Sequence, residues 1–75
     1  MERYLNRGGD SGIIGYEIGD DSIIVQFRDN SLYLYNSIHP GQGTVDHMKM
    51  LARAGQGLNS YIGRAVRKNF YQKLR

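Results

Sequence analysis

Residues 22–37, SIIVQFRDNSLYLYNS, decide the fold. Successive side chains of a strand point to opposite faces, so alternation separates what is covered from what is wet. Ile23, Val25 and Phe27 alternate with Ile24, Gln26 and Arg28, which makes the first set the covered face of one strand. Arg-Asp-Asn-Ser at 28–31 is a turn, since Asp, Asn and Ser bond local backbone and Asn tolerates positive φ. The strand that follows is apolar on both sides, with Leu32 and Leu34 on one face and Tyr33 and Tyr35 on the other. A two-residue loop at Asp29 and Asn30 sets the leucines beside Phe27. A three-residue loop with a bulge at Asn30 or Ser31 sets the tyrosines there. The residues leave both registers open.

Outward from this hairpin, GIIGYEI at 12–18 is a preceding strand, joined through Gly-Asp-Asp at 19–21. Residues 1–11 are polar with a Gly-Gly pair and read as a flexible N-terminal leader. After SIHPGQG the period changes to a helical one. Thr44 is the expected N-cap, Asp46 falls in the first turn, and Val45, Met48, Leu51 and Ala52 form a stripe closed by Gly55. A second helix is expected after Gly57, carrying Leu58, Ile62, Ala65 and Val66 inward and reaching about Tyr71. Gly63 inside it costs about 1 kcal/mol relative to Ala, so that helix needs tertiary support. The expected fold is α+β: a three-stranded antiparallel β-meander followed by two α-helices packed on one sheet face. Residues 12–75 make a single domain.

At 75 residues the chain has room for one thin core. It holds no cysteine, which excludes disulfides, thiol chemistry and Cys-based zinc sites and suits the cytoplasm. No apolar run approaches the length of a membrane span, and MERYLNRGGD has no signal-peptide core. The net charge of +3 hides an asymmetry. Residues 1–40 carry three basic and six acidic side chains, whereas residues 41–75 carry seven basic and one acidic. A basic half points towards a polyanionic partner.

The Phe27 strand end, the Asp-Asn-Ser turn, Tyr33-x-Tyr35, the block MKMLARAGQGLNSYI at 48–62 and the later Val66 and Tyr71 resemble the KTSC domain. The similarity spans residues 12–71. This family is named for its place at the C-terminus of some lysyl-tRNA synthetases, and it also occurs as small stand-alone bacterial proteins. The chain departs from the family pattern at Asn30-Ser31, where glycine is common, and in the longer SIHPGQGT link before the helix. The resemblance implies no catalytic activity. It suggests RNA binding by association with the synthetase, and it sets both tyrosines with Phe27 on the covered face.

Two sets of candidate site residues result. Tyr33 and Tyr35 are either core or a stacking platform for unpaired bases, worth about 1–3 kcal/mol per base. Arg64, Arg67, Lys68, Lys73 and Arg75, with Lys49 and Arg53 from the first helix, are candidate nucleic-acid-binding cations. On one continuous helix, Arg64 shares a face with Arg67 and Lys68. Gly55 and Gly57 mark a tight turn between helices and not a nucleotide loop, because no Gly-Lys-Ser/Thr follows. His39, Asp46 and His47 lack metal-ligand spacing. The expected function is a small non-catalytic binding module acting on RNA through a basic C-terminal helix, with no cofactor, metal or small-molecule substrate. The alternative is a protein-interaction or self-associating domain that uses an apolar sheet face.

Overall fold

A computed structural model describes residues 1–9 and 12–75. Its elements are β1 (Glu2–Arg3), β2 (Ile13–Ile18), β3 (Ser22–Phe27), β4 (Leu32–Asn36), α1 (Gln42–Ala54), α2 (Leu58–Tyr61) running into a π-helical turn (Ile62–Val66), and β5 (Gln72–Lys73). The five strands form one antiparallel sheet in the order β1-β2-β3-β4-β5. The fold is thus α+β with an antiparallel sheet and two helices, but the sheet has five strands where three were expected.

Both added strands arise from backbone that needed partners. Glu2 and Arg3 pair with Tyr16 and Gly15 along the outer edge of β2. Tyr4 follows into the core at 3% exposure, where its hydroxyl accepts a hydrogen bond from the Leu58 N–H at 3.2 Å. Residues 2–4 therefore belong to the packed domain rather than to a loose leader; Asp10 and Ser11 lie outside the described residues. At the opposite edge, β4 would expose the carbonyls of Leu32 and Leu34. Leu74 N–H donates to Leu32 O and Tyr71 N–H to Leu34 O, which satisfies them.

The hairpin register follows the three-residue loop. Phe27 N–H donates to Ser31 O, and Arg28, Asp29 and Asn30 form the loop, with Asn30 at φ 70°. Val25 then lies opposite Tyr33 and Ile23 opposite Tyr35, so the tyrosines share the covered face. Ser31 closes the loop by donating to the Asp29 carboxylate through its backbone N–H at 3.0 Å and its hydroxyl at 2.6 Å.

The helices cover that same face. Val45, Met48, Ala52, Leu58, Ile62 and Val66 are buried with Tyr4, Ile13, Tyr16, Ile23, Val25 and Tyr35 in one core. Leu51 packs at its margin, and Ala65 is exposed. Helix α1 starts earlier than the Thr44 cap implied. Asn36 organises the link, its side-chain oxygen accepting from the N–H groups of Ile38 and His39 and its backbone oxygen from Gly41. Gly41 is the N-cap, so Asp46 lies past the first turn, bonded to the Gln42 amide at 2.7 Å. Gly55 ends the helix in the left-handed region as expected (φ 76°).

The second helix stops well short of Tyr71. Its last turn widens to π geometry and Arg67, at φ 52°, breaks it. The physical reason is competition. Residues beyond Val66 gain more by pairing with the edge of β4 than by extending a helix weakened by Gly63.

Candidate nucleic-acid interface

Tyr33 and Tyr35 share a face but not a fate. Tyr35 lies under the helices at 2% exposure, and burial, followed by the nearby Tyr33, pushes its phenol up to about 12. Tyr33 lies nearer the hairpin and is half-buried. Its ring meets Phe27 edge-on at 5.5 Å and Phe70 at 4.8 Å between centroids. Lys73 holds its ammonium 5.7 Å from the Tyr33 ring centre.

These rings, with Tyr35 and Ile62, line an open cleft of about 440 Å³. The β3–β4 hairpin contributes Phe27, Arg28, Asp29 and Ser31 to the lining, and the turn after Val66 contributes Arg67, Lys68 and Phe70. The size falls within the range of about 300–1,000 Å³ common for small-ligand sites. Asp29 is the acidic member of the lining. Its two bonds from Ser31, helped by Lys73, hold its carboxyl below the usual carboxylate range. It is ionised near neutral pH and stands beside Arg28 on the hairpin side.

The seven candidate cations disperse accordingly. Arg67 and Lys68 line the cleft, and Lys73 sits over its floor ring. Arg75 is drawn to the hairpin, donating from Nε to Asn30 O at 3.1 Å. Arg64 is exposed on the π turn and Arg53 on the last turn of α1, outside the cleft lining. Because the helix ends at Val66, Arg64, Arg67 and Lys68 do not share a helical face. Lys49 leaves the set altogether. It is 8% exposed, and its ammonium donates to the carbonyls of Gly19 and Asp20 at 2.8 and 2.9 Å, tying α1 to the β2–β3 turn.

Arg28, Phe27 and Phe70 join the cleft without having been read as site residues. Arg28 belongs to the acidic half of the chain, and only the folded hairpin brings it to the basic turn. Phe70 follows the basic run, and a continued helix disguised its role as a floor ring. His47 packs against Tyr61 at 4.4 Å, and His39 lies 6.5 Å from Tyr71. Among the described residues, no three His, Cys, Asp or Glu side chains gather as a metal site. No helix among them is long and apolar enough to cross a membrane. Comparison with protein-family models, curated proteins and solved structures returned no match for this chain.

Proposed function

We propose that this protein is a KTSC-type, non-catalytic module of the cytoplasm that binds single-stranded RNA, with the aromatic cleft and its cationic turn as the contact surface. The observation that carries the proposal is the convergence of Phe27, Tyr33 and Phe70 with Arg67 and Lys68 around one cleft. Aromatic faces with cations beside them suit unpaired bases joined by phosphates, because stacking accepts any base and cations neutralise the backbone. Arg64, Lys73 and Arg75 extend the positive surface around it.

Titration of short mixed-sequence RNAs, single-stranded and duplex, at two salt concentrations tests the proposal. Single strands should bind more tightly, with an affinity that falls as salt rises. Neutralising Arg67 and Lys68 together to Gln should reduce the slope of log affinity against log salt by about 1.4, or roughly 0.7 per lost contact. Lys49→Met should leave the slope unchanged, because that ammonium is spent on backbone carbonyls. Absence of binding at low salt, or an unaltered slope in the double variant, would overturn the assignment.

A second reading is favoured by the other sheet face. Ile24 and Leu34 lie opposite one another there, on the side away from the helices, with Leu32 on the same face. These three half-buried side chains, bordered by Glu17, Gln26 and Gln72, form a small apolar patch that self-association would cover.

A further inference from the structure

Arg67 occupies a backbone conformation, φ 52° and ψ −123°, that side chains rarely adopt and that glycine enters freely. It also closes the π-helical turn, its N–H donating to Ile62 O five residues back. π turns and strained non-glycine residues both concentrate at functional sites. Here the two coincide at a cation on the wall of the cleft. Its neighbour Lys68 lines the same cleft, together with the packed Tyr33 and Phe70 rings and the hairpin residues.

We infer that the cleft is a subsite for one unpaired nucleotide, its base against the Tyr33–Phe70 floor and its phosphate held by Arg67 and Lys68. This deepens the RNA proposal and rests on it for the source of the nucleotide. The cleft has the scale of a single small ligand, not of a duplex groove. The distribution of charge around the lining sets the orientation. The Asp29 carboxylate stands beside Arg28 on the hairpin side, whereas the turn after Val66 brings Arg67 and Lys68 to the lining with no carboxylate among its own lining residues, which makes the turn the better seat for the anion. Arg67 then has a role that offsets its strain: the sharp turn aims a guanidinium suited to paired hydrogen bonds with phosphate oxygens.

The test uses the full chain and four probes: adenosine 5′-monophosphate, adenosine, inorganic phosphate and a single-stranded adenosine pentanucleotide. Aromatic and backbone NMR signals report where each binds. The monophosphate should shift the Tyr33 and Phe70 rings and the amides of Arg67 and Lys68. Adenosine and phosphate should each bind about tenfold more weakly, having lost one half of the contact. Arg67→Gly should weaken the monophosphate about tenfold while the thermal midpoint holds or rises, because strain is relieved as the charge is lost. Lys68→Gln, which leaves the strained residue intact, should weaken binding in the same direction. A residue serving only to end the helix would leave affinity unchanged in both variants, which would overturn the inference.

The two proposals fail differently. A pentanucleotide that binds with the floor rings unmoved overturns the subsite and leaves RNA binding to the surrounding cations. A monophosphate that binds as described, with a pentanucleotide no tighter than it, supports the nucleotide subsite and overturns the strand. Phosphate binding as tightly as the monophosphate reduces the cleft to an anion site and overturns the inference.

Discussion

Two tyrosines two residues apart show how position along one strand divides roles. Tyr35 lies in the core beneath the helices and reaches the cleft only at its inner end, whereas Tyr33 is half-buried beside the hairpin. Truncating Tyr35 to Ala should cost about 3–5 kcal/mol, as other large buried rings do, and Tyr33→Ala should cost less. Tyr35 also makes stability sensitive to alkali. Its phenol ionises at about 12 when folded, against an ordinary value of about 10, so the unfolded chain loses this proton first. The associated stability is fully present below about pH 10 and is lost as pH rises towards 12. Denaturant midpoints measured from pH 9 upward should fall for the native chain and fall less for Tyr35→Phe. Lys49 carries the complementary lesson: a lysine in a basic half is counted as surface until its ammonium is found bonded to two carbonyls.

At the scale of elements, β2, β3, β4 and the first helix were legible because each has a period, an apolar run or a turn signature of its own. The alternation in residues 22–35 and the glycine at 55 needed no knowledge of the rest of the chain. The second helix was misjudged in length because its stripe continues to suit a helix after the chain has left it. Gly63 sits in the π turn with no atom within 4 Å of where a Cβ would be and without positive φ. Gly63→Ala should therefore stabilise the domain by about 0.4–1 kcal/mol, read as a rise in thermal midpoint. Gly55→Ala should do the opposite. It stands at φ 76°, and its Cβ would come within 2.6 Å of the Leu5 Cβ. A fall in midpoint for Gly63→Ala would mean that the π turn itself depends on glycine.

For the whole molecule, the helices cover one face of the sheet, and on the other Ile24, Leu32 and Leu34 are half-buried. Tyr33 and the floor of the cleft lie on the helix side, so an open-face contact and a cleft ligand do not compete. If the open face serves self-association, sedimentation should show a concentration-dependent dimer that persists in high salt, since apolar burial is not screened. Leu34→Lys should then yield a monomer with an unchanged salt slope for RNA. A strict monomer at all concentrations in the native chain would remove the self-association reading and leave RNA binding untouched.

By itself the sequence determined what is local: the facing of β3, the existence of a turn at Arg-Asp-Asn-Ser, the helical stripe of α1 and its stop at Gly55. Those features depend on side-chain period and on the backbone freedom of single residues. Only the tertiary structure decided the hairpin register, the sheet edges, the end of the second helix and the membership of the cleft. Residues 2–3 and 72–73 have too little pattern to announce a strand and become strands because β2 and β4 offer unpaired backbone. Arg28 and Arg67 stand thirty-nine positions apart in the chain and line one cleft only after β4 has been paired on both sides. That pairing turns the chain sharply at Arg67 and carries the basic segment off the helix and onto the sheet.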